Sequence, residues 1–349
     1  MKKISIVLCL AIVSLLIISC AGKEYPLVSR ESKLPSDVVK MTPETDIYPP
    51  VLHSAEFRQP VPLPGPVNTN GGEDSPFIPI FIHANDADEE ELYFFFTPDV
   101  RIHAEKQLLD GVTGIYVSKR VGGAWQVPQR VVLQDKNKLS LDGCEFVHNN
   151  FMLFCSAREG YTGIHWFSAQ YNPEKKRWQN WKPADFPAEY NVGELHIYED
   201  YSKGLKELYY HSDKSYYIAG KGQNDIWMLT WSEEQKQWTN PINIEAVNTA
   251  ENEGMPYITK DGTELWFHRW YKGSPAIFRS VREKTSAEAA GDATSGNAGG
   301  FGEWQKPEMI VSQFAGEPTL DSEGNLYFVH HYYKDSKMIE ADIYFAEKK

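Results

Sequence analysis

Short runs of aromatic and β-branched residues recur along residues 51–349, and Gly, Asn and Asp separate them. None of these runs keeps the 3.6-residue apolar spacing of a long helix. Four runs form a group with a fixed order, which the sequence repeats five times. Each group predicts a four-stranded antiparallel sheet. The fullest copy contains Glu253, Pro256, Asp261-Gly262, Leu265-Trp266-Phe267, Ile277-Phe278 and Trp304.

The last copy begins at Glu317 and lacks a fourth run because the chain ends. Residues 56–64 carry the missing pattern, since Phe57 and Pro60 match Trp238 and Pro241 of another copy. A strand from the other end of the chain would close a ring of sheets. The sequence therefore predicts an all-β fold, a five-bladed β-propeller over residues 51–349 whose last blade is closed by an N-terminal strand. The low-complexity segment 284–302 is predicted to be a disordered loop.

The order Glu-x-x-Pro, Asp-Gly, Leu-Tyr-Phe, Asp-Ile-Tyr and Trp-x-x-Pro resembles the WD40-like, Pro-Asp type repeat of TolB-like propellers. The resemblance covers essentially all of residues 51–349. It departs in the second copy, where Asn149-Asn150 replaces the Asp-Gly turn. It implies a propeller fold and no particular activity, because propellers host many unrelated functions.

The first residues have the pattern of an export signal. Lys2 and Lys3 precede an apolar run over residues 4–18 that is shorter than a membrane span. The residues up to Cys20 resemble a bacterial lipobox, which implies removal of residues 1–19 and acylation of Cys20. Residues 20–50 would then be a tether. The prediction is an exported, lipid-anchored protein of the cell envelope, in the outer membrane of a Gram-negative host; an ordinary signal peptide is the alternative.

The formal net charge of −13 argues against nucleic acid and anionic lipid as partners. Membrane contact is therefore expected only through the acyl anchor. The sequence contains no phosphate-binding loop, HExxH or CxxC motif, so no cofactor and no metal site is predicted. The expected partner is an envelope protein or a glycan.

Two cysteines lie outside the export segment, and a hairpin count predicts that they form a disulfide. With Asn149-Asn150 as a two-residue turn, His148 pairs with Phe151, and counting outwards sets Cys144 opposite Cys155. Directly opposed residues have a separation that a disulfide can span. An exported protein also meets an oxidising compartment.

One mouth of the predicted channel collects ionisable residues from the strand-one starts and from the loops after strand two. The predicted binding residues are Glu73, Glu145, Glu194, Glu253, Glu317, Arg158, Lys214, Arg269, Trp270 and His330. If each glutamate is an equivalent structural brace, neutralised by a nearby cation, the protein is a binding or scaffolding module and not an enzyme. This is the main functional hypothesis, because a glutamate recurs in every copy whereas a catalytic residue is needed once.

The alternative hypothesis is a carbohydrate-active hydrolase or lyase. Five-bladed propellers that resemble arabinanases and levansucrases place an acid and a base or nucleophile from different blades around the channel mouth. Asp74, Asp142, Glu145 and Glu194 are the candidates for these roles. Two unpaired carboxylates that face an open cavity would favour the enzyme, and five locked glutamates would favour the scaffold.

Overall fold

A computed structural model describes residues 28–79, 90–135, 138–184, 186, 190–213, 220–284 and 300–349 of the chain. Strands dominate this part, together with two short 3₁₀ helices, Arg30–Lys33 and Ala104–Lys106. No helix in the described ranges is long and apolar enough to cross a membrane. The predicted all-β class is confirmed. The predicted export signal and Cys20 lie outside the described residues.

The strands fall into five sheet units in chain order, each antiparallel internally. Two short strands come first, β1 (Val51–Leu52) and β2 (Val61–Pro62). Unit one contains β3 (Gly72–Phe77), β4 (Glu90–Thr97), β5 (Gly114–Val121), β6 (Ala124–Trp125) and β7 (Gln129–Arg130). Unit two contains β8 (Ser140–His148), β9 (Phe151–Arg158), β10 (Ile164–Asn172) and β11 (Arg177–Pro183). Unit three contains β12 (Leu195–Asp200), β13 (Leu205–Ser212), β14 (Asp225–Ser232) and β15 (Gln237–Asn243). Unit four contains β16 (Glu253–Ile258), β17 (Glu264–Tyr271), β18 (Ser274–Val281) and β19 (Glu308–Ser312), and unit five contains β20 (Ala315–Leu320), β21 (Leu326–Lys334) and β22 (Lys337–Ala346).

The short N-terminal strands pair with the last two units. β2 lies antiparallel to β22, where Val61 pairs with Phe345. β1 pairs with β19 and gives unit four a fifth strand, which the sequence pattern does not predict. A single parallel pair, Ala341 with Gly72, joins unit five to unit one. These four-stranded antiparallel sheets are consistent with a β-propeller.

Aromatic side chains pack the units against one another. Trp125 of unit one lies edge-on to Tyr327 of unit five, with ring centroids 6.2 Å apart. Trp304, which precedes β19, meets Tyr209 of unit three in the same way at 6.1 Å. Both tyrosines follow the leucine of the repeated Leu-Tyr run in the second strand. The recurring tryptophans therefore pack neighbouring units together, as edge-to-face aromatic pairs do in protein cores.

Residues 28–50 differ from the tether that the sequence predicts. Three contacts with buried side chains hold the segment to units one and five: Arg30 with Glu73 at 3.2 Å, Lys40 with Asp342 at 2.6 Å, and Asp46 with His330 at 2.8 Å. Apolar contacts of Leu34 and Met41 with the core add to these ion pairs. Composition does not reveal such a segment, because its ion-pair partners are distant in the sequence. In the predicted loop 284–302, residues 285–299 lie outside the described part of the chain, and the flanking Lys284 and Phe301 pair as an isolated bridge.

Candidate active site in the central cavity

Residues from all five units line one cavity, which we call the central cavity. Its volume is about 50 Å³. Units one to five contribute Ser75, Glu145, Glu194, Met255 and Glu317 respectively, among other residues. Each of these residues lies in the first strand of its unit or directly before it. The five first strands therefore surround the cavity.

Four of these first strands carry the same β-bulge. The pairing register shifts just after Asp74 in β3, and at the matching places in β8, β16 and β20. The residue that follows each of these places has a left-handed backbone: Ser75 (φ 51°), Cys144 (φ 53°), Met255 (φ 52°) and Glu317 (φ 55°). Such a backbone is uncommon for residues with a side chain. Bulges redirect side chains, and here all four left-handed residues line the central cavity.

Three glutamates in the cavity have few or no polar partners, and we call them the unbraced glutamates. Both carboxyl oxygens of Glu145 are buried without a hydrogen-bond partner among the described residues. One oxygen of Glu317 is in the same situation. Glu194 accepts a hydrogen bond from the thiol of Cys144, with a sulfur–oxygen distance of 3.4 Å. A buried carboxyl group without donors is costly to keep ionised.

The pKa values of the unbraced glutamates are raised accordingly. Burial raises the pKa of Glu145 to about 8 and that of Glu194 to about 7. Burial also raises the pKa of Glu317 well above its ordinary value. The negative charge of Asp74 adds to all three increases. Carboxyl groups that hold a proton at neutral pH thus lie close to a carboxylate, which is the environment of an acid and base pair.

Asp74 is a partly exposed carboxyl group beside these glutamates. Its side chain is 34% exposed, and the Nε2 atom of His331 lies 3.8 Å from its carboxylate. Burial lowers the pKa of His331, so its imidazole is neutral at neutral pH and does not form a full ion pair. Solvent therefore reaches the Asp74 carboxyl group.

A second set of carboxylates is buried and bound by arginine, and we call these the braced carboxylates. Within this set, the Oε2 atom of Glu253 is buried without a hydrogen-bond partner among the described residues. Arg269 donates to Glu253 at 2.6 Å, and Thr249 donates to the same oxygen at 2.6 Å. Asp142 accepts hydrogen bonds from Arg158 at 2.9 Å and from two serines. Glu73 is held by Arg30 and by two donors of Thr69. Charge-assisted hydrogen bonds of this kind offset part of the cost of a buried charge. Burial nevertheless raises the pKa of Glu73 to about 7.

The prediction that the five glutamates are equivalent is wrong. Glu73 and Glu253 lie two residues before the left-handed residue of their strand, Glu317 is that residue, and Glu145 follows it. The shared Glu-x-x-Pro pattern aligns only Glu73 with Glu253, because Pro318 directly follows Glu317. A shift of two residues along a bulged strand separates a braced position from one in the cavity.

Three of the other predicted binding residues pair with buried carboxyl groups. Arg158 and Arg269 bind Asp142 and Glu253, and His330 contacts Asp46 at 2.8 Å. Trp270 is 41% exposed. Lys214 lies outside the described residues. Of the four predicted catalytic candidates, Glu145 and Glu194 line the central cavity and Asp74 adjoins it, whereas Asp142 belongs to a brace.

Sequence reasoning missed the histidines around the cavity. His196 lines it and is 4% exposed, and burial lowers its pKa to about 3. His211 and His268 pack against glycines of the first strands: a Cβ atom at Gly193 would lie 2.5 Å from His211 Nε2, and one at Gly254 would lie 3.0 Å from His268 Nε2. The recurring glycine in the first strand was the available signal, because it marks a close approach.

The predicted disulfide is not formed in the structure, where Cys144 and Cys155 are free thiols. The hairpin count is correct as far as His148 with Phe151 and Phe146 with Leu153. The bulge then inserts a residue, so that Cys155 pairs with Gly143. Cys144 instead takes the left-handed position and contacts Glu194.

No family model and no curated protein matches this chain. Solved structures do show similarity. An endo-arabinase from Bacteroides thetaiotaomicron is 16% identical, with a TM-score of 0.47, over 77% of this chain and 92% of that one. A GH43_12 protein from a capybara gut metagenome is 12% identical, with a TM-score of 0.46, over 80% and 54%. A Bacillus subtilis levansucrase is 9% identical, with a TM-score of 0.44, over 80% and 87%.

Two predictions are corrected by these matches, which are to glycoside hydrolase folds. The assignment to TolB-like, WD40-like propellers is wrong. The scaffolding function that accompanied it is also wrong. Identities this low carry no activity or residue role over to this chain, so any function has to be argued from the central cavity itself.

Proposed function

We propose that this protein is a carbohydrate-active hydrolase whose reaction takes place in the central cavity. The observation that carries the proposal is the contrast between its carboxyl groups. Glu145 has no hydrogen-bond partner among the described residues and lies near Asp74, whereas Glu253 and Asp142 are bound by arginine. A protein that needed these groups only for stability would gain nothing from burying carboxyl groups unpaired.

Glycoside hydrolysis needs one carboxylic acid and one carboxylate near the scissile bond. With a pKa of about 8, Glu145 retains its proton at neutral pH and is the proposed general acid. It donates this proton to the glycosidic oxygen as the bond between that oxygen and the anomeric carbon breaks. Asp74 is the proposed carboxylate, because it is partly exposed beside the cavity. Its charge adds to the effect of burial, which is the main cause of the raised pKa values of the three glutamates.

Asp74 would complete the reaction in one of two ways. As a base it takes a proton from the water that attacks the anomeric carbon, and the configuration inverts. As a nucleophile it first bonds to that carbon. The ionised Glu145 then takes a proton from water, whose oxygen attacks the anomeric carbon, breaks its bond to Asp74 and releases the sugar with retention. In both cases Glu194 and Glu317, protonated or partly so, limit the negative charge in the cavity.

The same proposal includes the architecture. The five sheet units would be the five blades of a closed propeller, with β2 beside β22 as the closing contact. Export with removal of residues 1–19 and acylation at Cys20 also remain proposals, because that segment is outside the described residues. Loss of labelled palmitate from a Cys20→Ala variant, together with loss of its detergent partitioning, is the expected result if Cys20 carries a lipid.

The decisive experiment is a screen of the purified protein against neutral and acidic polysaccharides, followed by matched substitutions. Glu145→Gln and Asp74→Asn should each lower turnover by about 10²-fold or more, the usual contribution of a positioned acid or base. Glu253→Gln is the control and should keep turnover in the fraction that folds. The proposal fails if no polysaccharide is cleaved, or if Glu145→Gln retains full turnover.

A further inference from the structure

Exposed apolar side chains lie together at one edge of unit one, where the segment 28–50 meets the loop between β4 and β5. They belong to Val28, Val39, Ile102 and Leu109, and we call this group the apolar rim. Leu109 and Val39 are each 82% exposed, and Ile102 and Val28 are exposed as well. Single exposed apolar residues are common on soluble proteins, whereas a group of them marks a contact surface.

An ion pair brings two members of the apolar rim together. Arg101, in the loop between β4 and β5, donates to Asp37 at 2.8 Å. Ile102 directly follows Arg101, and Val39 is two residues beyond Asp37. Because two residues of chain span about 7 Å at most, Ile102 and Val39 lie in the same small area.

The other two members are joined to this area by the same loop. A Cβ atom at Gly111 would lie 3.2 Å from the Val28 side chain, and Leu109 is only two residues from Gly111. Gln107, two residues before Leu109, donates to the Ile102 carbonyl oxygen at 2.8 Å. The apolar rim is therefore one continuous surface built from two distant parts of the sequence.

Hydrogen bonds on both sides of Leu109 fix the loop that carries it. Gln107 also donates to the Asp99 carbonyl oxygen, at 2.9 Å. Asp110 accepts from the backbone N–H groups of Val112 at 2.6 Å and of Thr113 at 2.8 Å. Val112 is completely buried, whereas Leu109 is held in solvent three residues earlier. A contact surface that is already in place loses little conformational freedom when it binds.

The length of the preceding chain indicates which partner lies against the apolar rim. Only residues 21–27 separate Val28 from Cys20, the proposed acylation site. A chain of this length spans about 30 Å at most, whereas a domain of this size is about 50 Å across. An acylated Cys20 would therefore hold the apolar rim near the bilayer and leave the far side of the protein out of reach.

The charges around the apolar rim favour an uncharged contact. Residues 98–112 contain three carboxylates, Asp99, Glu105 and Asp110, and two cations, Arg101 and Lys106. Arg101 also donates to Asp99 at 2.8 Å, in addition to its bond with Asp37. Attraction to anionic lipid needs an excess of lysine and arginine, so apolar side chains would make the contact.

We propose that the apolar rim inserts into the surface of the bilayer that holds acylated Cys20, and so fixes which edge of the protein faces the membrane. The inference goes beyond the proposed hydrolase and rests on the proposed acylation. It adds a second membrane contact to the acyl anchor. Tyr201 marks the opposite side, because the hairpin between β12 and β13 lies in unit three and at the other end of the strands.

Fluorescence quenching by nitroxide lipids measures this contact. The acylated Leu109→Cys protein is labelled with an environment-sensitive dye and reconstituted into phosphatidylcholine vesicles that contain the nitroxide lipids. The dye should lie about 5–10 Å below the membrane surface, the depth of interfacial apolar groups. The Tyr201→Cys protein, labelled at another exposed position, is the control and should not be quenched. The unsubstituted protein measures the background labelling of Cys144 and Cys155.

A matched pair of substitutions tests whether the apolar rim as a whole makes the contact. Val39→Asp, added to the labelled Leu109→Cys protein, should move the dye out of the bilayer, because a carboxylate in the interface opposes insertion of its neighbours. Ile164→Asp changes an exposed apolar residue of unit two in the same way and should leave the depth of the dye unchanged.

Quenching at residue 109 but not at residue 201, lost on Val39→Asp, supports the inference. Equal quenching at both positions, quenching at neither, or quenching that requires added anionic lipid overturns it. A dye at residue 109 that is already in an apolar environment in the Cys20→Ala protein, without vesicles, also overturns it, because another part of the chain then covers the apolar rim.

The outcomes separate this inference from the proposed function. If labelled palmitate does not enter the protein, the membrane contact is overturned and the hydrolase is unaffected. None of these substitutions changes a residue that lines the central cavity. Cleavage of polysaccharides therefore tests the hydrolase independently of the apolar rim.

Discussion

The braced carboxylates and the unbraced glutamates show how one residue type serves two purposes in the same strands. Glu253 and Glu145 both lie in first strands and are almost completely buried. Glu253 meets Arg269, whereas Glu145 meets no donor among the described residues. The difference follows from their positions relative to the bulge. The Glu253 side chain points towards Arg269, whereas the Glu145 side chain lines the central cavity. Stability and reactivity are therefore separated by a few residues of chain.

The largest effect on stability is expected from removing the segment that braces units one and five. Deleting residues 21–50 removes the cations that pair with Glu73 and Asp342 and the carboxylate that pairs with His330. The side chains of Glu73, Asp342 and His330 are inaccessible to solvent. An unpaired buried charge costs several kcal/mol, so the melting temperature should fall by on the order of 10 °C. Deleting only residues 21–27, which removes none of these contacts, is the control. Equal melting temperatures would show that the segment is a tether after all.

Removing one arginine from a braced carboxylate tests, with a single substitution, whether these ion pairs stabilise the fold. Arg269→Leu leaves Glu253 buried without its cation and should cost about 3–5 kcal/mol in a denaturant titration. Glu317→Gln, which removes a carboxyl group from the central cavity, should cost nothing or stabilise the protein. If the two variants lose the same stability, the distinction between braced and unbraced groups does not hold.

The dependence of the free energy of unfolding on pH should reveal the raised pKa values of the unbraced glutamates. Glu145 has a folded-state pKa of about 8, above its ordinary value of 4.5, so the folded protein binds more protons between these values. Its contribution is full below pH 4.5 and is lost as the pH rises through 8, at a slope of about 1.4 kcal/mol per pH unit. Glu145→Gln should flatten this slope, and Gln235→Ala, which removes no titrating group, should not. Unfolding titrations at pH 5, 6, 7 and 8 measure it.

The smallest effect concerns the thiol that contacts Glu194. Cys144→Ser replaces a weak donor with a stronger one at the same place, so the free energy of unfolding should change by about 1 kcal/mol or less. Labelling residues 21–349 with a maleimide under denaturing, non-reducing conditions should modify both Cys144 and Cys155. Absence of labelling would restore the disulfide and remove the contact between Cys144 and Glu194.

Much of the fold was readable from local patterns. Runs such as Leu265-Trp266-Phe267 predicted strands, and the Asn149-Asn150 turn predicted the pairing of His148 with Phe151, which the structure contains. The match of residues 56–64 to an outer strand agrees with the pairing of Val61 with Phe345. These features depend on residue type and short-range spacing, so a single sequence carries them.

The roles of the glutamates were decided only by the tertiary structure. The repeat aligned them by their distance from a proline, but the bulge at Cys144 and Glu317 changes which residues face the cavity, and no local rule predicts a left-handed backbone at a cysteine or a glutamate. The brace of Glu73 comes from Arg30, which is 43 residues away along the chain. The sequence by itself determined strands, turns and repeats, because these follow from neighbouring residues. Whether a buried carboxyl group is paired depends on which distant segment lies against it, and only the folded chain decides that.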